Sequence, residues 1–139
     1  MTCKNKAFSL LEMIVILVLI LIISIIAYPV LTQYTTQSKV SDALIAASPI
    51  QTLVTNQIAS LGSVTGSGDN LNTPATISRY VSSYSVGSDG VISITTTADA
   101  GGISLTLTPQ YDSTSEQVSW SCAVTDSNMN SSVPSRCRV

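Results

Sequence analysis

Residues 8–31 read FSLLEMIVILVLILIISIIAYPVL and decide the architecture of this 139-residue chain. Between positions 13 and 28 only Ser24 is polar. A helix rises about 1.5 Å per residue, so this segment is long enough to cross a hydrocarbon core of about 30 Å. Lys4 and Lys6 precede it, and the positive-inside rule places such residues on the cytoplasmic side. The sequence therefore predicts one membrane-spanning helix, with everything after it outside the inner membrane.

Glu12 is an acidic side chain within this apolar segment. A carboxylate deep in lipid costs about 2.5–3.5 kcal/mol even on mild insertion scales, so it indicates a function and a cationic partner. The alternative is that Glu12 lies at the membrane interface and is solvated. A secretory signal peptide fits poorly, because Ile25 and Ala27 would occupy its small-residue cleavage positions. A plain anchor and a buried core helix remain, and neither explains Glu12.

The composition argues against an enzyme or a metalloprotein. The chain has no histidine, only 10% of its residues are charged, and its net charge is −2. It lacks a nucleophile elbow, a phosphate-binding loop and a recognisable pair of catalytic carboxylates. The sequence predicts no catalytic residue, no cofactor and no metal ligand, and its net charge gives no general attraction to nucleic acid. The three cysteines, Cys3, Cys122 and Cys137, leave one unpaired in the full chain.

Beyond Pro29 the helical pattern becomes amphipathic. Apolar residues recur at spacings of three and four, which predicts a buried stripe. The stripe comprises Val40, Ala43, Leu44, Ala47, Ile50, Val54, Ile58 and Leu61. The opposite, polar face carries Gln37, Ser41, Gln51, Thr55 and Asn56. Together these patterns predict one helix from about residue 8 to residue 60, capped by Gly62.

The remainder of the chain predicts a loop followed by an antiparallel sheet. Residues 61–79 are rich in Gly, Ser, Thr and Asn, which is typical of a loop that buries little apolar surface. Residues 80–122 alternate with period two and predict four strands joined by short turns. The strands are predicted at 80–86, 91–97, 103–108 and 118–122. The face predicted to cover the helix carries Val91, Ile94, Ile103, Leu105, Leu107, Val118 and Trp120. Trp120 is interpreted as a core residue in preference to a sugar-stacking platform.

The leader MTCKNKA, followed by Phe8, Glu12 and Pro29, resembles the processing site and N-terminal helix of type IV pilins. In that family a prepilin peptidase cuts after a short basic leader, and the new N-terminal residue is methylated. The resemblance places the cut between Ala7 and Phe8. Ala7 departs from the Gly that the family generally has before the cut. The implied fold class is α+β, with a long N-terminal helix packed on an antiparallel sheet of about four strands.

The resemblance also implies how subunits assemble. Glu12 would pair with the Phe8 amine of a neighbouring copy, and repetition of this contact would generate a helical filament. Pro29 would mark a weak stretch of helix, from residue 24 to 29, that unwinds during packing. The implied partners are identical subunits, the prepilin peptidase and the inner-membrane assembly machinery, with the inner membrane holding the precursor. The filament would serve adhesion, twitching motility or DNA uptake at the cell surface.

Loss of the leader, residues 1–7, would also remove Cys3 and leave Cys122 and Cys137 as a pair. The resulting loop, 122–137, resembles the disulfide-bounded C-terminal region of the family, which contributes to adhesion. The domains are thus predicted as leader 1–7, helix 8–31 and head 32–139.

Three alternative functions remain open from the sequence. The first is a minor pilin or a pseudopilin of a secretion or competence machine. The second is a binding module, in which Arg136 and Arg138 contact DNA or the exposed loop contacts a glycan or host receptor. The third is a membrane-anchored domain that does not assemble.

Overall fold

A computed structural model describes residues 9–75 and 77–139. The predicted processing and methylation site, Ala7 and Phe8, lies outside the described residues. The chain divides into two compact units, Met1–Gln33 and Tyr34–Val139.

The first unit is the apolar part of helix α1, which spans Leu10–Ala46. Its first described hydrogen bond runs from the Met13 N–H to the Ser9 carbonyl at 3.2 Å. The large apolar side chains from Leu10 to Leu31 are all 40–76% exposed. Among the described residues this is the one helix long and apolar enough to cross a membrane, with a mean hydropathy of 3.2 in its most apolar 18-residue window.

In the second unit the helix continues to the end of α1 and then through α2, Ser48–Leu61. One helix from about residue 8 to residue 60 was predicted, and the structure interrupts it at a single residue, Ala47, whose N–H bonds the Leu44 carbonyl at 3.2 Å. The interruption lies two residues before Pro49, which has no N–H to bond the Ile45 carbonyl. The predicted cap is confirmed: Gly62 has φ +65° and donates its N–H to the Ile58 carbonyl at 2.8 Å.

The sheet is an antiparallel meander in which each strand pairs with the next along the chain. The strands are β1, Val81–Val86; β2, Ile92–Thr96; β3, Ser104–Asp112; and β4, Gln117–Val124. Their order is β1-β2-β3-β4. This confirms the predicted α+β fold with a long helix and about four strands. The last two strands are longer than predicted, since β3 continues through Pro109 to Asp112 and β4 through Cys122 to Val124.

The core lies between the apolar stripe of the helices and one face of the sheet. Its fully buried members include Val40, Ile50, Val54, Ile58, Ile92, Ile94, Ile103 and Leu105. Two predicted members were wrong. Leu61 is 49% exposed because the helix ends there. Val91 precedes β2, and its carbonyl accepts the Gly87 N–H at 2.8 Å, so Ile92 begins the inward face instead.

The segment between α2 and β1 is anchored to the core more firmly than its composition predicts. Val64, Leu71 and Ile77 pack against the core, which corrects the expectation that this loop buries little apolar surface. The Gly68 N–H donates to the Ser88 carbonyl at 3.0 Å. A Cβ at Gly68 would overlap the backbone of the β1–β2 turn, so only glycine permits this close approach.

Candidate functional site

Glu12 lies in the first turn of α1 and is exposed, as are the apolar side chains around it. The first turn of a helix presents unpaired backbone N–H groups and a partial positive charge, which favour a carboxylate there. Ser9 precedes Glu12 by three residues, the spacing of a capping box. Sequence analysis missed this second interpretation, which the Ser-x-x-Glu spacing signals. The Glu12 carboxylate therefore lies at the favourable end of its own helix and is exposed to an external cation.

Pro29 lies inside α1 without ending it. Because proline has no N–H, the Ile25 carbonyl lacks the usual helical hydrogen bond at this point. Two hydroxyls bond backbone carbonyls nearby: Ser24 Oγ donates to Ile20 at 2.8 Å, and Thr32 Oγ1 donates to Pro29 at 2.9 Å. Such bonds compete with the helical ladder and often bend helices. The described subunit is nevertheless helical here, and the predicted unwinding remains a prediction about the filament.

The C-terminal segment is fastened to β4 by the disulfide between Cys122 and Cys137, which are 15 positions apart. This confirms the pairing that the family resemblance implied. Cys137 and Val133 are fully buried. Gln37 of α1, assigned to the polar face from sequence, donates its Nε2–H to the Val133 carbonyl at 2.9 Å. The helix thus holds the segment through a polar side chain as well as through packing, a role that the amphipathic pattern could not reveal.

The two candidate ligand-contacting arginines differ in their hydrogen bonding. Arg138 donates its Nε–H to the Val133 carbonyl at 3.3 Å and so helps to hold the C-terminal segment. The exposed Arg136 guanidinium has no hydrogen bond or ion pair among the described residues. Only Arg136 therefore has all its donors available to a ligand.

The other cations of the head lie around a tyrosine ring. The Arg79 guanidinium carbon is 4.6 Å from the centroid of Tyr80, and Lys39 Nζ is 6.0 Å from it. Lys39 also donates to the backbone carbonyl of Asp99 at 2.8 Å. This arrangement stabilises the start of β1 by cation–π attraction.

The acidic side chains do not converge on a metal site. Within the part of the chain that the structure describes, no group of three or more Cys, Asp or Glu side chains is placed to hold a metal ion. Asp126 accepts the Asn128 N–H and caps a short 3₁₀ helix, Ser127–Ser132. In the β3–β4 turn, the Thr114 N–H and then the Ser115 hydroxyl lower the pKa of Asp112. Both acids therefore have local structural partners.

Comparisons with known proteins agree with this arrangement. The family described as Pilin (bacterial filament) matches residues 36–138, and the prokaryotic N-terminal methylation motif matches residues 2–28. The chain is 30% identical over 120 residues to the prepilin peptidase-dependent protein D of Escherichia coli (strain K12), a span covering 84% of this chain and 81% of that protein. No solved structure matches the chain significantly. An apolar N-terminal helix, a methylation motif and a pilin match over most of the remaining sequence establish that this chain belongs to the type IV pilin family.

Proposed function

We propose that this chain is a structural subunit of a type IV pilus, without catalytic activity, that polymerises through its N-terminal helix. The observation that carries the proposal is the row of exposed apolar side chains from Leu10 to Leu31 with Glu12 among them. Soluble monomers rarely expose a contiguous apolar patch larger than a few hundred Å². This surface therefore requires either lipid or other copies of the same helix around it.

The precursor occupies the membrane first. Lys4 and Lys6 keep its N-terminus in the cytoplasm, so residues 32–139 lie outside the inner membrane. A prepilin peptidase then cuts between Ala7 and Phe8, and Phe8 is methylated. The methylation motif matched across residues 2–28 supports this position.

Assembly follows from the charges at the new N-terminus. Cleavage gives Phe8 an α-amino group, which supplies the cation that the proposal requires. An unpaired carboxylate is costly in a bundle of apolar helices, and Glu12 therefore pairs with the Phe8 amine of an adjacent subunit. The pairing fixes the axial register of the helices. Because the contact joins two different surfaces and does not close, its repetition extends a filament.

Partners and location follow from the same proposal. The chain binds identical subunits, the prepilin peptidase and inner-membrane assembly proteins, and it is found as a membrane precursor or in a surface filament. The filament supports adhesion, motility or DNA uptake. Whether the chain is the major subunit or a minor pilin is decided by its abundance: a major subunit accounts for most of the protein in sheared fibres, and a minor pilin or pseudopilin for a small fraction.

The test replaces Glu12 by Gln, which keeps the shape and removes the charge, and by Asp, which keeps the charge. We expect Glu12→Gln to abolish or greatly reduce sheared fibres while the subunit still accumulates in the membrane, and Glu12→Asp to retain more fibre than Glu12→Gln. Fibres are quantified by electron microscopy and mass spectrometry, and N-terminal sequencing of the sheared material reports whether Phe8 is the first residue. Normal piliation in Glu12→Gln would refute the pairing. An intact leader in the fibres would refute the processing step.

A further inference from the structure

A small groove lies between the helix break and the outer strand β4, beside the disulfide. Its volume is ≈190 Å³, smaller than the roughly 300–1,000 Å³ of sites for drug-sized ligands. It therefore has room for one small ring. The residues that line it include Ile45, Ser48, Gln51, Trp120, Ser121 and Arg136, and their side chains supply aliphatic, hydroxyl, amide, indole and guanidinium chemistry.

Trp120 is held in a fixed orientation at this groove. Its Nε1–H donates to Thr55 Oγ1 at 3.2 Å, across from β4 to α2. The indole is only partly buried and packs against the core. The prediction that Trp120 is a core residue is therefore only partly correct, because the same ring also lines an open cavity. A tethered aromatic ring loses little conformational freedom when a ligand binds against it.

Polar groups with unused hydrogen-bonding capacity accompany the ring. The side chains of Ser48, Gln51 and Arg136 have no hydrogen-bond partner among the described residues. A hydroxyl and an amide both donate and accept, and a guanidinium offers a planar fork that matches a carboxylate. The residues of one cavity thus include an aromatic ring for stacking, Trp120, two side chains that can bond hydroxyls, Ser48 and Gln51, and a guanidinium that can bind a carboxylate, Arg136.

We infer that this groove binds a single acidic sugar ring. The apolar C–H face of a pyranose packs against Trp120, its hydroxyls bond Ser48 and Gln51, and its carboxylate pairs with Arg136. The ligand class is a saccharide residue carrying one carboxylate, such as a uronic acid at an end of a glycan.

The charge of the head favours this ligand over nucleic acid. Residues 32–139 carry four cationic and seven acidic side chains, a net charge of −3. A polyanion gains affinity from each phosphate that a cation neutralises, and only one free guanidinium lines this groove. A ligand with a single carboxylate needs only that one cation.

The test uses the full chain dispersed in detergent micelles and titrated with glucuronate or glucose. Trp120 is the single tryptophan of the chain, so its fluorescence reports directly on the groove. One small ring is expected to bind with a dissociation constant on the order of 1 mM. Glucuronate should bind at least about tenfold more tightly than glucose, as a charge-assisted hydrogen bond allows.

Two arginine variants give a matched comparison. Arg136→Gln should bring glucuronate down to the affinity of glucose, whereas Arg79→Gln, at a cation beside Tyr80 that does not line the groove, should change the glucuronate affinity by less than about twofold. Arg136 is exposed and makes no hydrogen bond or ion pair among the described residues, so we expect its replacement to leave the fold intact. No fluorescence response to either sugar, equal affinity for both, or equal losses in the two variants would overturn the inference.

The proposed sugar site and the proposed assembly mechanism can be tested independently. Binding is measured on dispersed subunits, so Glu12→Gln, which should not form fibres, should bind glucuronate as the native chain does. Loss of binding in that variant would contradict a site formed by the head alone.

Discussion

Removing the disulfide is the perturbation whose effect can be derived most directly from the structure. In a variant with Ala at both Cys122 and Cys137, the link across 15 positions is lost. A closed loop of this length stabilises the fold by about 3 kcal/mol in the chain-entropy model. We therefore expect the free energy of unfolding of the head to fall by about 3 kcal/mol.

The loss should be concentrated in the C-terminal segment. Without the disulfide, that segment is still held by the buried Val133 and by the hydrogen bond from Gln37 to the Val133 carbonyl at 2.9 Å. The helix stripe and the four strands do not depend on the disulfide for their pairing. The α1 segment up to Gln33 is a separate unit, so membrane insertion should be unchanged.

Two assays on the full chain in detergent test this expectation. Urea unfolding followed by Trp120 fluorescence gives the change in free energy. Trypsin digestion followed by mass spectrometry reports cleavage after Arg136, which precedes Cys137 in the short helix Ser135–Cys137, and this cleavage should become faster once the disulfide is lost. Ser119→Ala is the matched control, since it removes an exposed side chain from the same strand. A double variant that unfolds within about 1 kcal/mol of the native chain and is cut no faster would refute the reasoning.

Two further predictions concern turns. A Cβ at Gly90 would lie 2.6 Å from Val54 Cγ1, at a φ of +72°, so Gly90→Ala should lower the free energy of unfolding by about 2–5 kcal/mol. Gly102→Ala, at φ +61° with nothing within 4 Å, should cost only about 1–2 kcal/mol in the same urea titration, and equal losses would contradict the steric argument. The hydrogen bond from the Thr114 N–H holds the folded-state pKa of Asp112 below its ordinary value of 3.8. The ionised Asp112 carboxylate therefore stabilises the fold fully above pH 3.8, and this stabilisation is lost as the pH falls through the lower, folded-state pKa. Asp112→Asn should therefore melt at a slightly lower temperature than the native chain at neutral pH and at the same temperature in strong acid, and a difference that persists in acid would show another cause.

The sequence predicted the helices well because one physical signal dominates each of them. The nearly continuous apolar residues before Pro29, and the apolar spacings of three and four after it, leave few alternatives to a helix. The left-handed conformation at Gly62 was equally predictable, since glycine adopts it without a steric cost.

The strand boundaries were less predictable because they depend on neighbouring strands. The third strand was predicted to end at residue 108, yet β3 continues through Pro109 to Asp112. The β2 partner of β3 stops at the pair Ile92–Leu107, so Pro109 pairs only with Trp120 on β4. Proline is tolerated where one side of a strand is open. No local pattern reports where a partner strand ends.

The polar contacts of the head could not be predicted from periodicity at all. Gln37 and Thr55 fit a solvent-facing stripe by spacing, but the structure gives them partners at Val133 and Trp120. Those partners lie 96 and 65 positions away in the chain. Only the tertiary fold brings them together, so helical periodicity carries no information about them.

The meander has a consequence for the order in which the head can form. Every strand joins the one synthesised immediately before it, so each addition closes only a short stretch of chain, which favours rapid folding. A head emerging residue by residue can extend its sheet without waiting for distant sequence. Cys137 lies beyond the end of β4 at Val124, so its disulfide with Cys122 can form only after all four strands have been synthesised.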